Sequence, residues 1–263
     1  TRSAFSSKDA LWTIEGVDEK SGEGFKYTAN FIVACTGYYK YDEGYKPDFP
    51  GEKDFKGQII HPQKWPEDLN YTGKRVVVIG SGATAVTLIP AMADKTAHIT
   101  MLQRSPTYIV SIPANDFLSE TLRRFLPKAW VYQMARMRNI LLQRAIYALA
   151  KARPGAIRRL LLGAAKMRLG DGVDMKHFTP SYNPWDERLC VVPDGDLFET
   201  VKSGKVSIVT DHIEKFTEKG ILLKSGQHLD ADIIVSAPGL NVQLMGGVEV
   251  EVEGTPVPVT DRV

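Results

Sequence analysis

The chain has 263 residues, 43% of them hydrophobic and 24% charged, which is ordinary globular composition for one large or two small domains. A formal net charge of +2 points away from a nucleic-acid partner. No stretch approaches the ~20 apolar residues of a membrane span, and no signal peptide precedes the first element.

Thr1 stands where an initiator Met would, and the chain runs directly into a sheet segment. It reads as an internal piece of a longer polypeptide. Ala10 to Glu15 and Tyr27 to Cys35 read as two strands around a turn at Ser21-Gly22-Glu23-Gly24. The second ends on Thr36-Gly37. Residues 38–73 are rich in Tyr, Gly and Pro and show no helical or strand period, which predicts a functional loop or an interdomain crossing.

Lys74 to Gly80 is a continuous apolar run after two cations, the pattern of a strand buried on both faces of a parallel sheet. Ala83 to Ala93 reads as a helix, kinked at Pro90, and Ala97 to Leu102 as the next strand. Strand, glycine loop, helix and strand make a βαβ unit. Phe117 to Leu169 is helix-prone and punctuated by Pro127 and Pro154-Gly155. It holds twelve basic residues against one acid, Glu120, a local charge of +11.

Afterwards Leu197 to Lys202 reads as a short helix and Val206 to Val209 as a strand. Gly220 to Leu223 and His228 to Ala237 read as a ribbon around Ser225-Gly226. That ribbon echoes the first one: Ala29 to Gly37 resembles Ala231 to Gly239. The two copies point to two related dinucleotide-binding domains, or to two unrelated strand-and-turn segments.

The loop Gly80-Ser81-Gly82-Ala83-Thr84-Ala85 carries the chemistry. Gly80 permits a tight turn, and Gly82 lets a pyrophosphate approach the backbone. Ala83 and Ala85 allow close helix–strand packing, and the helix N-terminus offers free N–H groups to phosphate. The pattern is G-x-G-x-x-A. At the end of the second strand an NAD site places an acid for the ribose 2′-OH. Here Gln103-Arg104-Ser105-Pro106 stands instead. Arg104 can pair with a 2′-phosphate and Ser105 can add a hydrogen bond, so NADP is favoured. The alternative for Arg104 is a solvated surface arginine.

The two cysteines, Cys35 and Cys190, lie in apolar runs and read as buried, inert thiols. Without a C-x-x-C pair, neither zinc ligation nor dithiol chemistry is expected, no metal site is assigned, and a reducing cytoplasm fits.

Phe55-Lys56-Gly57-Gln58-Ile59-Ile60-His61-Pro62-Gln63-Lys64-Trp65-Pro66 reads physically as an irregular hinge or latch ahead of the Rossmann strand. The segment resembles F-x-G-x-x-x-H-x-x-x-W-P, the fingerprint of Baeyer–Villiger (class B flavoprotein) monooxygenases. It fixes Phe55, Gly57, His61, Trp65 and Pro66. Tyr41 to Tyr45, Gly80 to Pro90, Met101 to Val110 and Tyr182-Asn183-Pro184-Trp185 resemble the mycobacterial ethionamide-activating members in particular.

The resemblance implies an α/β fold with a Rossmann-like NADP-binding domain, a basic helical insertion and partial FAD-domain β segments. The expected division is 1–66 (partial FAD domain and linker), 67–240 (NADP domain, with its insertion at 117–180) and 241–263 (return to the FAD domain). It implies an FAD- and NADPH-dependent enzyme, probed by ketone, sulfide or thioamide substrates, that oxygenates them through a C4a-peroxyflavin. An N- or S-oxygenating flavin monooxygenase is the neighbouring alternative, and its fingerprint usually lacks Trp65 and Pro66. A catalytically incomplete NADP-binding piece is another, since the first FAD loop of the family has no counterpart here.

The resemblance also gives Arg188 the catalytic role of stabilising the oxygenated flavin and the adduct on the carbonyl. A structural ion pair with Asp186 or Asp194 is its alternative. Glu187 departs from the family's Lys, and Ala237-Pro238-Gly239 departs from its A-T-G turn. The basic helices read either as solvated faces or as a surface for an anionic membrane.

Overall fold

A computed structural model describes residues 1–259, which form two compact units. One comprises Thr1–Tyr45 and the chain from Gly239 onward. The other comprises Lys46–Pro238. The last four residues of the expected 241–263 return lie outside the described residues.

In the first unit β1 (Arg2–Ser6), β2 (Leu11–Val17) and β3 (Gly24–Ala29) form an antiparallel meander. The β2–β3 turn falls where Gly and Ser predict it. Asp18 Oδ1 accepts from the Lys20 and Ser21 amides, and Gly22 takes φ 73°. The strand expected to reach Cys35 stops at Ala29. Phe31 to Cys35 joins no sheet among the described residues, and Phe31 and Val33 are 80% and 74% exposed. A run apolar on both faces needs a ladder partner and cover on each side, and the described strands offer it neither. Cys35 is accordingly exposed rather than buried, while Cys190 is buried as expected.

The 38–73 region contains two strands that its composition hid. β4 (Tyr39–Gly44) alternates only polar and aromatic residues, and β5 (Gln58–Ile60) is too short to show a period. β5 belongs to the second unit. It pairs in parallel with a strand ending at Ser236, and Phe55 packs edge-on to Phe216. The units therefore divide at Tyr45, where the sequence places a boundary after residue 66.

The second unit continues with β6 (Arg75–Ile79), α1 (Ala83–Ala93, containing Pro90) and β7 (His98–Gln103). β8 (Tyr108–Ile112) leads into α2 (Phe117–Leu122), α3 (Lys128–Ala152) and α4 (Pro154–Leu169). β9 (Leu189–Pro193) returns parallel to β8, so the helical insertion is looped out between two paired strands. Pro127 and Pro154 start α3 and α4, where a missing N–H costs nothing. Asp116 caps α2 through the Ser119 amide and pairs with Arg138 on α3. Those contacts, Arg138 first, hold its carboxyl well below the usual range.

After α5 (Asp196–Lys202) and β10 (Val206–Thr210) comes an antiparallel ribbon of β11 (Ile213–Thr217), β12 (Gly220–Leu223) and β13 (His228–Asp230). The run read as one strand from His228 to Ala237 breaks here. β14 (Ile233–Ser236) leaves the ribbon for the parallel sheet, because Asp232 turns to accept the Arg75 amide at 2.7 Å.

The parallel sheet has the order β10-β7-β6-β14-β5. Its strands show why they read as continuous apolar runs. Val76, Val78, Ile99, Met101, Ile233 and Val235 face a core shared with α1 and α5. Val77, Ile79, Leu102 and Ile234 face a second core under the β11–β13 ribbon. Each buried side chain of this kind contributes about 1.5–3 kcal/mol relative to exposure.

The chain then returns to the first unit. β15 (Leu240–Val242) pairs with β4, and β16 (Glu249–Val252) pairs in parallel with β1 and antiparallel with β17 (Thr255–Pro256).

Candidate functional site

The loop after β6 is shaped by its glycines. Gly80 has φ 132°, and a Cβ there would sit 2.5 Å from the Ala237 carbonyl oxygen. Its amide donates to Leu102, so the ends of β6, β7 and β14 converge on this residue. Gly82 is the N-cap of α1, with nothing within 4 Å of where a Cβ would be and no side chain capping the helix. The first turn of α1 holds no acid. The first N–H groups of an eleven-residue helix thus open onto free space at the carboxyl edge of a parallel sheet, where such folds bind nucleotides. Ala83 and Thr84 are exposed at this mouth, while Ala85 is fully buried against the sheet.

Four side chains, those of Ser81, Thr107, Arg188 and Cys190, meet at the loop. Ser81 is 4% exposed and donates through Oγ to the Ser105 carbonyl at 3.3 Å. Arg188 donates from Nη2 to Ser81 Oγ at 3.2 Å and from Nε to Thr107 Oγ1 at 2.7 Å. The buried Cys190 thiol lies 3.7 Å from the Ser81 carbonyl, and burial pushes its pKa up.

Arg188 therefore does not pair with Asp186 or Asp194. Asp186 is held by Lys151 at 2.7 Å, and Asp194 accepts the Ala114 amide at 3.0 Å. Among the described residues the Arg188 guanidinium forms no ion pair. Arg104 lies exposed at the end of β7, with no ion pair among the described residues. By contrast Arg2, Arg75 and Arg138 pair with carboxylates. An open helix N-terminus with cations near it is an arrangement suited to an anion with several phosphates.

The fingerprint residues do structural work next door. Gly57 passes so close to Asp232 that a Cβ would meet its carbonyl oxygen at 2.3 Å. Phe55 is 7% exposed in the second core. His61 caps the short 3₁₀ turn Pro62–Lys64, its Nδ1 accepting from Gln63. Trp65 packs against the first core with its ring edge-on to Tyr71, and Pro66 follows it. The structure brings Gly80 to Ala85, Ser105 and Arg188 together, whereas Phe55 to Pro66 flank the edge strand β5.

Sequence reasoning missed Thr107, Tyr182 and Arg158 as partners of this site. Thr107 is 81 positions from Arg188, and no local spacing announces such a pairing. The available signals were the family-like stretches Met101 to Val110, which holds Thr107, and Tyr182 to Trp185, just ahead of Arg188.

A parallel sheet with a G-x-G-x-x-A loop opening a helix at its carboxyl edge is the architecture of the dinucleotide-binding folds. The family described as FMO-like, flavin-binding monooxygenase-like, matches residues 2–245, and the chain belongs to it.

It is 57% identical over 254 residues to MymA of Mycobacterium tuberculosis, covering 95% of this chain and 51% of that protein. It is 51% identical over 258 residues to the FAD-containing monooxygenase EthA of the same organism, covering 97% of this chain and 52% of that protein. The chain spans about half the length of the curated relatives it matches. A steroid monooxygenase bound to NADP has the same fold, with a TM-score of 0.72 at 24% identity over 95% of this chain and 53% of that one. Cyclohexanone monooxygenase bound to ε-caprolactone does too, at 0.71 and 22%, over 97% and 57%.

Proposed function

We propose that this chain is the NADPH-binding centre of an FAD- and NADPH-dependent monooxygenase that converts a ketone to an ester or lactone. The observation that carries the proposal is Arg188, a guanidinium that among the described residues bonds to the Ser81 and Thr107 hydroxyls beside a glycine loop whose helix has no acid in its first turn. NADPH fits that loop. Its pyrophosphate has open space at Gly82 and N–H donors from α1, and its 2′-phosphate has Arg104. In the first unit Thr36 Oγ1 is buried without a partner beside Gly37, a donor suited to hold part of the flavin. FAD, when bound, supplies hydride acceptance and oxygen activation. In balance, ketone, O2, NADPH and a proton give ester, water and NADP⁺. The protein's part is to orient the nucleotide and to present a fixed cation to negative charge that develops on oxygen.

Sulfide or thioamide oxygenation would use the same cation. Trp65 and Pro66 favour the ketone reading, through the fingerprint that the chain resembles. Arg104→Ala tests the cofactor assignment. The Kd for NADPH should rise about tenfold or more while that for NADH hardly changes, the loss of one charge-assisted phosphate contact. Equal changes for the two nucleotides would sink it. A nucleotide-binding unit without flavin is the second reading, carried by the glycine loop and the open N-terminus of α1, which need no flavin to hold a nucleotide. Purified protein that binds NADPH yet lacks flavin absorbance near ~450 nm would support that reading over the first.

Peripheral attachment to an anionic bilayer is part of the same proposal. Among the described residues no helix is long and apolar enough to cross a membrane. α3 buries only Val131 and Ala150 of its 25 residues. Trp130, Met134, Met137 and Leu141 recur at helical spacing and are all at least half exposed. No acid lies on α3 or α4, so their charge complements anionic headgroups. The protein should sediment with phosphatidylserine vesicles at low salt and not with phosphatidylcholine vesicles. Failure to sediment, with dimerisation instead, would assign the stripe to a second copy.

A further inference from the structure

The segment that delivers Arg188 to the glycine loop is irregular. It runs from Thr179 to Arg188, between the last turn of the insertion and β9, and is unsupported by any ladder or helix. Trp185 within it takes φ 66°, a left-handed conformation that costs a bulky residue of order 1–3 kcal/mol. Such a segment holds one shape only if something outside fixes it.

Two cations of the helical insertion do so. Arg158, on α4, donates from Nη1 to the Tyr182 carbonyl at 3.0 Å and to Tyr108 Oη at 2.8 Å. Its Nη2 donates to the Pro180 carbonyl at 2.6 Å. Lys151, on α3, holds the other end at Asp186 and at the Trp185 carbonyl. Tyr108, 1% exposed, completes the lock by donating to the Tyr182 carbonyl at 2.8 Å, its ring edge-on to that of Tyr182. The Tyr182 side chain then points forward. Its Oη donates to the Arg188 carbonyl at 2.8 Å and lies 3.3 Å from Thr107 Oγ1, which also accepts from Arg188 Nε. A continuous path thus leads from Arg158 through Tyr182 to Arg188 and Ser81.

Lys151 and Asp186 are both more than two-fifths exposed, so their ion pair adds little. Arg158 is half-buried, and its fork reaches three neutral oxygens that a point charge could not reach together.

We infer that Arg158 is a positioning residue for the nucleotide site: its fork on Pro180, Tyr182 and Tyr108 sets where the Arg188 guanidinium stands against the glycine loop. The inference rests on the reading that Arg188 faces bound NADPH. It gives the basic insertion a second task, distinct from any surface it presents.

NADPH titrations of the protein and four variants test it. Arg188→Met should weaken NADPH binding, which checks the underlying reading by itself. Arg158→Met should weaken it about tenfold, and Arg158→Lys nearly as much, because the charge survives but the fork does not. The double variant Arg158→Met/Arg188→Met should bind within twofold of Arg188→Met alone, since both changes act on one contact. Should Arg158→Met prove unfolded by circular dichroism, Tyr182→Phe removes the forward link and carries the same cycle.

Full recovery in Arg158→Lys would show a charge effect and overturn the inference. So would additive losses in the double variant, the mark of a general structural role. An Arg188→Met variant with unchanged affinity would remove Arg188 from the nucleotide, and the inference with it.

Discussion

Residues 29–37 and 231–239 share four of their nine letters and a common apolar pattern, and they meet opposite fates. Ile233 to Ser236 form the strand between β6 and β5, with Ile233 and Val235 buried in one core and Ile234 in the other. Phe31 to Cys35 stay outside every sheet among the described residues, and three of the five are well exposed large or reactive side chains. The second position of each copy shows how they part. Asp232 accepts the Arg75 amide and so sets β14 in register with β6. Asn30 donates instead to the Ala10 carbonyl and folds its chain back on the β1–β2 turn. An apolar run states what it needs, and its neighbours decide whether it is met.

A charge placed in each copy should separate them most. Ile234→Asp buries an unpaired carboxylate between two cores and should cost more than about 4 kcal/mol, enough to unfold the second unit. Val33→Asp sits at a 74% exposed position and should move stability by no more than about 0.5 kcal/mol. Urea midpoints would show it. Comparable losses for the two would mean that Val33 is covered and that the copies are structurally alike.

The glycines give a smaller contrast. In Gly80→Ala the methyl meets the Ala237 carbonyl at 2.5 Å in a left-handed backbone, and about 3 kcal/mol or more should be lost, together with NADPH binding. In Gly37→Ala the nearest atom is Tyr41 Oη at 3.6 Å. Only the cost of its φ of 67° remains, about 1–2 kcal/mol. A Gly37→Ala loss as large as that of Gly80→Ala would reveal a close neighbour at the first copy too.

The βαβ core was legible in the sequence because its signals are local and redundant. β6, the loop, α1 and β7 fall within one short stretch, each with its own period, and Pro127 and Pro154 mark the helix starts outright. The insertion's charge was equally plain. Other features depended on distant residues. β8 and β9 pair across the whole insertion, so neither strand announces its partner. The break at Asp232 depends on an amide 157 positions away. Within the candidate site, the glycine loop stood out by its spacing and Arg188 by the family resemblance, while Thr107 and Arg158 enter only through contacts that the fold creates.

The smallest effect tests the comparison without any mutation. Cys35 closes the first copy and is exposed, so it should react with a thiol reagent in the native protein at close to the rate of a free cysteine. Cys190 is 5% exposed, with burial raising its pKa and Arg188 only partly opposing that, so less thiolate forms and less of it is reached. It should react on the order of a hundredfold more slowly, and both thiols should react together in urea. Two slow thiols in the native protein would mean that Phe31 to Cys35 is buried after all and that the two copies share one structure. NADPH sharpens the test. The Cys190 thiol lies against the Ser81 carbonyl, so a nucleotide that holds the glycine loop in place should slow its reaction further. Cys35, in the other unit, should keep its rate.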